Sequence, residues 1–116
     1  MGDDKTSDFK IDTQSPYFLH PSDASGAIIT AVRFDGKNYE LWEKAVTTAL
    51  TAKNKIAFIN GTITKTEVIK RGSAGEMSAW MIVNSMITSW ILNVVDLKLH
   101  ASIAYADSAQ EIWENI

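Results

Sequence analysis

Apolar residues recur at three-and-four spacing in three stretches of the chain, and those stretches predict its helices. From Asn38, a good N-cap, Leu41, Trp42, Ala45, Val46, Ala49 and Leu50 follow, with Glu40 and Glu43 in the favourable first turns. A helix to about Ala52 is expected, with Asn54 as its stop. Its buried stripe is read as Trp42 with Val46 and Ala49, and Leu41 with Ala45. A second helix is expected from near Glu76 to about Val94, carrying Met77, Trp80, Met81, Asn84, Ile87, Trp90, Ile91, Val94 and Val95 on one broad face. Ile82, Val83, Met86 and Leu92 make it apolar almost all round, as for the central helix of a bundle or one with a face left for a partner. After Asp96 a short amphipathic segment, Leu97 to Tyr105, leads to a last helix bearing Ile112, Trp113 and Ile116. Its capping box is either Asp107 with Gln110 or Ser108 with Glu111. The chain stops barely three turns into that helix, so a fragment of a longer protein is expected.

Between and before these stretches the pattern is weaker. Residues 1–26 lack periodicity and are punctuated by Pro16, Pro21 and Ser22-Asp23-Ala24-Ser25-Gly26, which reads as a flexible tail. Within it Tyr17, Phe18 and Leu19 form an apolar cluster able to dock extended on the domain. Ala27 to Phe34 is a β-branched run closed by Asp35-Gly36, a short strand or extended arm ending in a turn. Residues 56–63 fit two structures: a hairpin about Asn60-Gly61, or a short helix ending at Gly61. From Thr64 to Gly75 a polar, basic surface loop is expected. The sum is an all-α fold, a small bundle of about four to five helices over residues 27–116 with a short extended N-terminal arm or strand.

Size and composition sharpen this. At 116 residues, 46% apolar and 22% charged, the chain matches one ordinary globular domain. With no cysteine there is neither a disulfide framework nor a thiolate zinc site. No stretch approaches the roughly 18 apolar residues of a membrane span. The N-terminus MGDDKTSDFKIDTQ is polar and acidic where an export signal is basic and then apolar, so an intracellular setting is expected. A net charge of −3 is a poor footprint for neutralising phosphates, although residues 33–71 hold eight Lys/Arg against four Asp/Glu and residues 76–116 one against five.

Catalytic chemistry finds little to work with. His20 and His100 have no spacing that makes a metal site or triad and are read as surface or capping residues. Gly36, Gly61, Gly72 and Gly75 form no phosphate-cradling motif. Asp107-Ser108-Ala109 lacks the glycine an aspartic protease needs and reads as a helix cap; Asn60-Gly61-Thr62 reads as a turn. No enzyme, cofactor or metal is expected. Trp42, Trp80, Trp90 and Trp113 are the unusual feature: all lie on apolar stripes and read first as core, with Trp113 the best candidate for an interface anchor.

Three blocks of the chain carry a resemblance. They are Ser15-Pro16-Tyr17-Phe18-Leu19-His20-Pro21-Ser22-Asp23; Phe34-Asp35-Gly36-Lys37-Asn38-Tyr39 with Trp42, Ala52-Lys53-Asn54-Lys55, Phe58, Asn60 and Gly61; and Trp80, Asn84, Ser89-Trp90-Ile91-Leu92-Asn93 through Tyr105-Ala106-Asp107-Ser108-Ala109 to Ile112-Trp113. In order and spacing they resemble the N-terminal Gag region of plant copia-type LTR retrotransposon polyproteins. The resemblance implies a capsid-like helical domain that multimerises into virus-like particles, with Tyr39, Trp42, Phe58, Trp80, Trp90 and Trp113 as its structural and interaction residues. RNA would then be reached only through regions downstream. The chain departs from that pattern in lacking prolines after Gly61 and before Leu97, and in carrying Met81 and Ile82 where polar residues are commoner. The alternative is a domesticated, monomeric module that binds a host peptide or protein in a groove between helices. Direct RNA binding by residues 33–71 is a weaker third, because its lysines lack interleaved exposed aromatics.

Overall fold

The first N–H groups of a helix need partners outside the helix ladder, and in three α-helices of this chain a Ser or Thr side chain supplies one. The structure, a computed structural model, describes residues 9–116. Among these residues the fold is mostly helical: α1 (Tyr39–Ala52), α2 (Lys65–Arg71), α3 (Ala74–Asn93) and α4 (Ala109–Asn115), with 3-10 turns at Ile56–Phe58 and Leu97–Ser102. No strand is formed among them; the 27–34 run is an extended linker joined to the bundle by one parallel bridge, Phe34 to Val95. Phe34 N–H donates to Val94 O (2.8 Å) and Asp96 N–H to Phe34 O (2.9 Å).

Asn38 occupies the N-cap of α1, yet its side chain does not cap the helix. Its Oδ1 accepts from Asp35 N–H (3.0 Å) and its Nδ2 donates to Arg33 O (2.8 Å), locking the Asp35–Gly36 turn in which Gly36 has φ +98°. The buried ridge is Trp42, Val46 and Leu50, one residue per turn. Leu41, expected inside, is 61% exposed, because a ridge on 42/46/50 puts it about 100° round the helix. Asn54 ends α1 in the left-handed region (φ 60°), with Lys55 N–H on Leu50 O and Asn54 N–H on Thr51 O, a Schellman closure.

Residues 56–63 take the helical alternative, a 3-10 turn that buries Phe58 and Ile59 before Gly61 (φ +89°). The expected basic loop 64–75 instead contains α2. Thr64 Oγ1 accepts from Glu67 N–H (3.1 Å) at its start, and Val68 is its one buried residue. α3 begins two residues earlier than expected because Ser73 Oγ accepts from Glu76 N–H (3.1 Å). Its core face is Ala79, Trp80, Val83, Ile87, Trp90 and Ile91. Met81 and Ile82, which periodicity left on or beside that face, are 57% and 60% exposed. α4 uses the Ser108–Glu111 cap, with Glu111 Oε1 accepting from Asp107 N–H (2.6 Å), and Ala109 N–H donates to Asn84 Oδ1 (2.8 Å), tying its start to α3. α3 packs against both α2 and α4.

Residues 9–26, expected as a tail, lie against this bundle and with Ala27 form its N-terminal arm. They advance through four successive turns, closed by Ser15 N–H on Asp12 O, Phe18 N–H on Ser15 O, Asp23 N–H on His20 O and Ala27 N–H on Ala24 O. Tyr17 joins the core. The expectation for residues 1–8 lies outside the described residues.

Candidate interaction surface

The six singled-out residues divide by burial. Trp42, Phe58, Trp80 and Trp90 are core; Trp113 is half-buried and Tyr39 lies at the surface. Trp113 lies on Trp42 with ring centres 5.2 Å apart, and Phe34 meets both Trp42 (5.1 Å) and Tyr39 (6.1 Å), which are themselves 6.3 Å apart, so the structure brings Tyr39, Trp42 and Trp113 into one aromatic cluster. Trp42 Nε1 donates to Val94 O (3.0 Å), the carbonyl that also receives Phe34. Phe58 belongs to a different group, meeting the edge of Tyr17 at 5.5 Å, and Trp80 Nε1 is buried without a partner among the described residues.

Trp90 anchors the arm. Its Nε1 donates to Ala24 O (2.8 Å), and one turn on, Asn93 Nδ2 donates to Ser25 O (2.8 Å) and Ala27 O (3.1 Å). Lys53 sits over the Trp90 ring at 4.9 Å and pairs with Asp23 at 3.0 Å. Burial by itself would raise the Asp23 carboxyl, but the hydrogen bonds from Lys53 and His20 N–H and the charges of Lys53 and Lys55 outweigh it and hold it below the usual carboxylate range. Lys55 is only 2% exposed; its Nζ donates to Phe18 O (2.6 Å) and Lys53 O (3.1 Å). Desolvation pulls this ammonium down, against Asp23 and helped by Lys53. On the far side Tyr17 Oη donates to Glu76 Oε2 (2.7 Å), and burial, that bond and the Glu76 charge hold the phenol well above its usual range.

None of these arm contacts was legible beforehand, apart from the apolar Tyr17-Phe18-Leu19 cluster. Their partners stand 30 to 68 residues away in the chain.

Around this clamp lie uncovered apolar surfaces. A shallow groove of about 410 Å³ runs along α3, lined by Met81, Ile82 and Met86 together with Ser25, Ser85 and Ser89. A second, of about 310 Å³, lies between arm and helix, lined by Ile11, Phe18, Leu19, Ala79 and Ile82. Ile82 borders both, which makes one apolar belt across α3 and the arm. A third, of about 400 Å³, follows the outer face of α1 past Leu41, Ala45, Ala49 and Ile29. Such surfaces are suited to protein contact. The histidines hold local structure: Ser22 N–H donates to His20 Nδ1, and His100 Nε2 donates to Val95 O (2.9 Å). Among the described residues no group of three or more His, Asp or Glu could hold a metal, and no helix is long and apolar enough to cross a membrane.

Residues 20–65 match the family model of the Gag-polypeptide of LTR copia-type. The match runs from the second half of the arm through α1 and the 3-10 turn to the first residue of α2, and supports a copia-type Gag region there. No curated protein and no solved structure matches the chain.

Proposed function

We propose that the chain is a structural, capsid-like domain from the N-terminal Gag region of a plant copia-type retrotransposon, and that its copies associate into virus-like particles in the cytoplasm. The copia-type Gag match over residues 20–65 carries this reading. The apolar belt of Ile11, Met81 and Ile82 supports it, since these side chains are exposed on a bundle whose own core is already filled. Lattice contacts of this kind are individually weak and gain strength by repetition. A Gag role is structural and carries no catalytic step. RNA would be held by regions outside this domain.

Light scattering and negative-stain microscopy across a concentration series test the proposal. Wild-type protein should self-associate, and Met81→Asp/Ile82→Asp should stay folded and monomeric, because exposed substitutions typically change stability by about 0.5 kcal/mol or less. A wild-type protein that is strictly monomeric at high concentration overturns the reading. The groove between arm and α3 favours the second reading, a monomeric module for a host peptide, and a stoichiometric heterologous partner without self-association would support it.

A further inference from the structure

The arm is held to the bundle by contacts that a second copy could supply equally well. Its anchors are specific to this chain: the carbonyls of Phe18, Ala24, Ser25 and Ala27 receive Lys55, Trp90 and Asn93, while Tyr17 and Asp23 reach Glu76 and Lys53. The link between arm and bundle has few bonds: residues 28–33 make no backbone–backbone hydrogen bond, and they are held by the packing of Ile29 and Val32 on the core and by Arg33 Nη1 donating to Asn93 O (3.1 Å). Six extended residues reach about 20 Å. The backbone is pinned again at Arg33, whose carbonyl accepts from Asn38 Nδ2, and at Phe34, by its bridge to Val95.

We propose that residues 9–27 exchange between copies, each arm seating on a neighbour's α1 end and α3 face in the register it adopts here in cis. This rests on the self-association reading above. An emptied seat would expose Trp90 and Phe58 and strip the buried Lys55 ammonium of an acceptor, so it does not stay empty. The segment that restores every one of those partners is another arm of the same sequence. Cis and trans seating make the same contacts, so the balance is set by effective concentration, about millimolar for a short flexible tether, and a crowded assembly shifts it towards exchange.

The Asp23–Lys53 pair gives a direct readout, because a carbodiimide joins a carboxylate to an amine in contact without adding a spacer. Equal amounts of ¹⁵N-labelled and unlabelled full chain are mixed, incubated concentrated, cross-linked and separated by size, and the peptides joined through Asp23 and Lys53 are weighed. With exchange, mixed-label links make up about half of that product in dimers and larger species, as random pairing of identical arms requires, and are missing from monomers. Oligomers holding only same-label links would overturn arm exchange and leave self-association standing. A protein monomeric throughout would overturn both, and lack of any Asp23–Lys53 product in every fraction would show that the arm does not take this seat.

Discussion

Tyr17→Phe removes one oxygen and nothing else, which makes it the cleanest probe of how firmly the arm is held. The hydroxyl donates to Glu76 Oε2 at 2.7 Å, while the ring keeps its edge contacts with Phe9 (5.6 Å) and Phe58 (5.5 Å). A hydrogen bond to a charged acceptor contributes about 1.5–3 kcal/mol; Glu76 is half-buried and regains some hydration when the bond is lost, so a cost of about 1–2 kcal/mol is expected. In a domain of this size that lowers Tm by roughly 4 °C per kcal/mol. A urea-melt cycle with Glu76→Gln should return a coupling of about 1 kcal/mol. pH adds an independent check. The folded phenol titrates above its unfolded value, so the contribution is complete below about pH 10 and is lost as pH rises beyond it, because the unfolded chain then binds fewer protons than the folded one. Tyr17→Phe should lack that alkaline component. A variant as stable as wild type at pH 7, with an alkaline profile superimposable on it, would refute the anchor.

Three further outcomes follow from other contacts. As pH falls through the carboxylate range, below about pH 4, wild type should lose the contribution of Asp23, whose folded value lies below its unfolded one, and amide exchange in residues 18–27 should accelerate; Asp23→Asn should show little of this dependence. Gly72→Ala should destabilise by about 1–2 kcal/mol in thermal melts, since a Cβ there would sit 2.7 Å from Val68 O, and the opposing gain from stiffening the unfolded chain is under about 1 kcal/mol. Ile87→Ala, fully buried at the middle of α3, should cost about 2–5 kcal/mol by urea denaturation, and a loss below 1 kcal/mol would mean the core is not packed as described.

The sequence by itself determined where α1, α3 and α4 lie, because caps and periodicity are local: Ser108 and Glu111 meet within one turn, and Asn54 ends α1 through its own backbone. α2 escaped notice because Val68 is its one buried residue and Thr64-x-x-Glu67 was hidden in a basic run that reads as a loop. Which way a helix faces was a different matter. α3 is apolar on nearly every side, so no period distinguishes Val83, inside, from Met81 and Ile82, outside; only the positions of α2, α4 and the arm decide it. The copia-type resemblance in the sequence is matched over residues 20–65, including Trp42 and Phe58, both of which lie in the core. Beyond the apolar Tyr17-Phe18-Leu19 cluster, the seating of the arm belongs to tertiary structure. Its stability comes from bonds such as Tyr17 to Glu76 and Asn93 to Ser25, between groups 59 and 68 residues apart, and no local preference encodes an interaction whose two halves meet only after the bundle has formed.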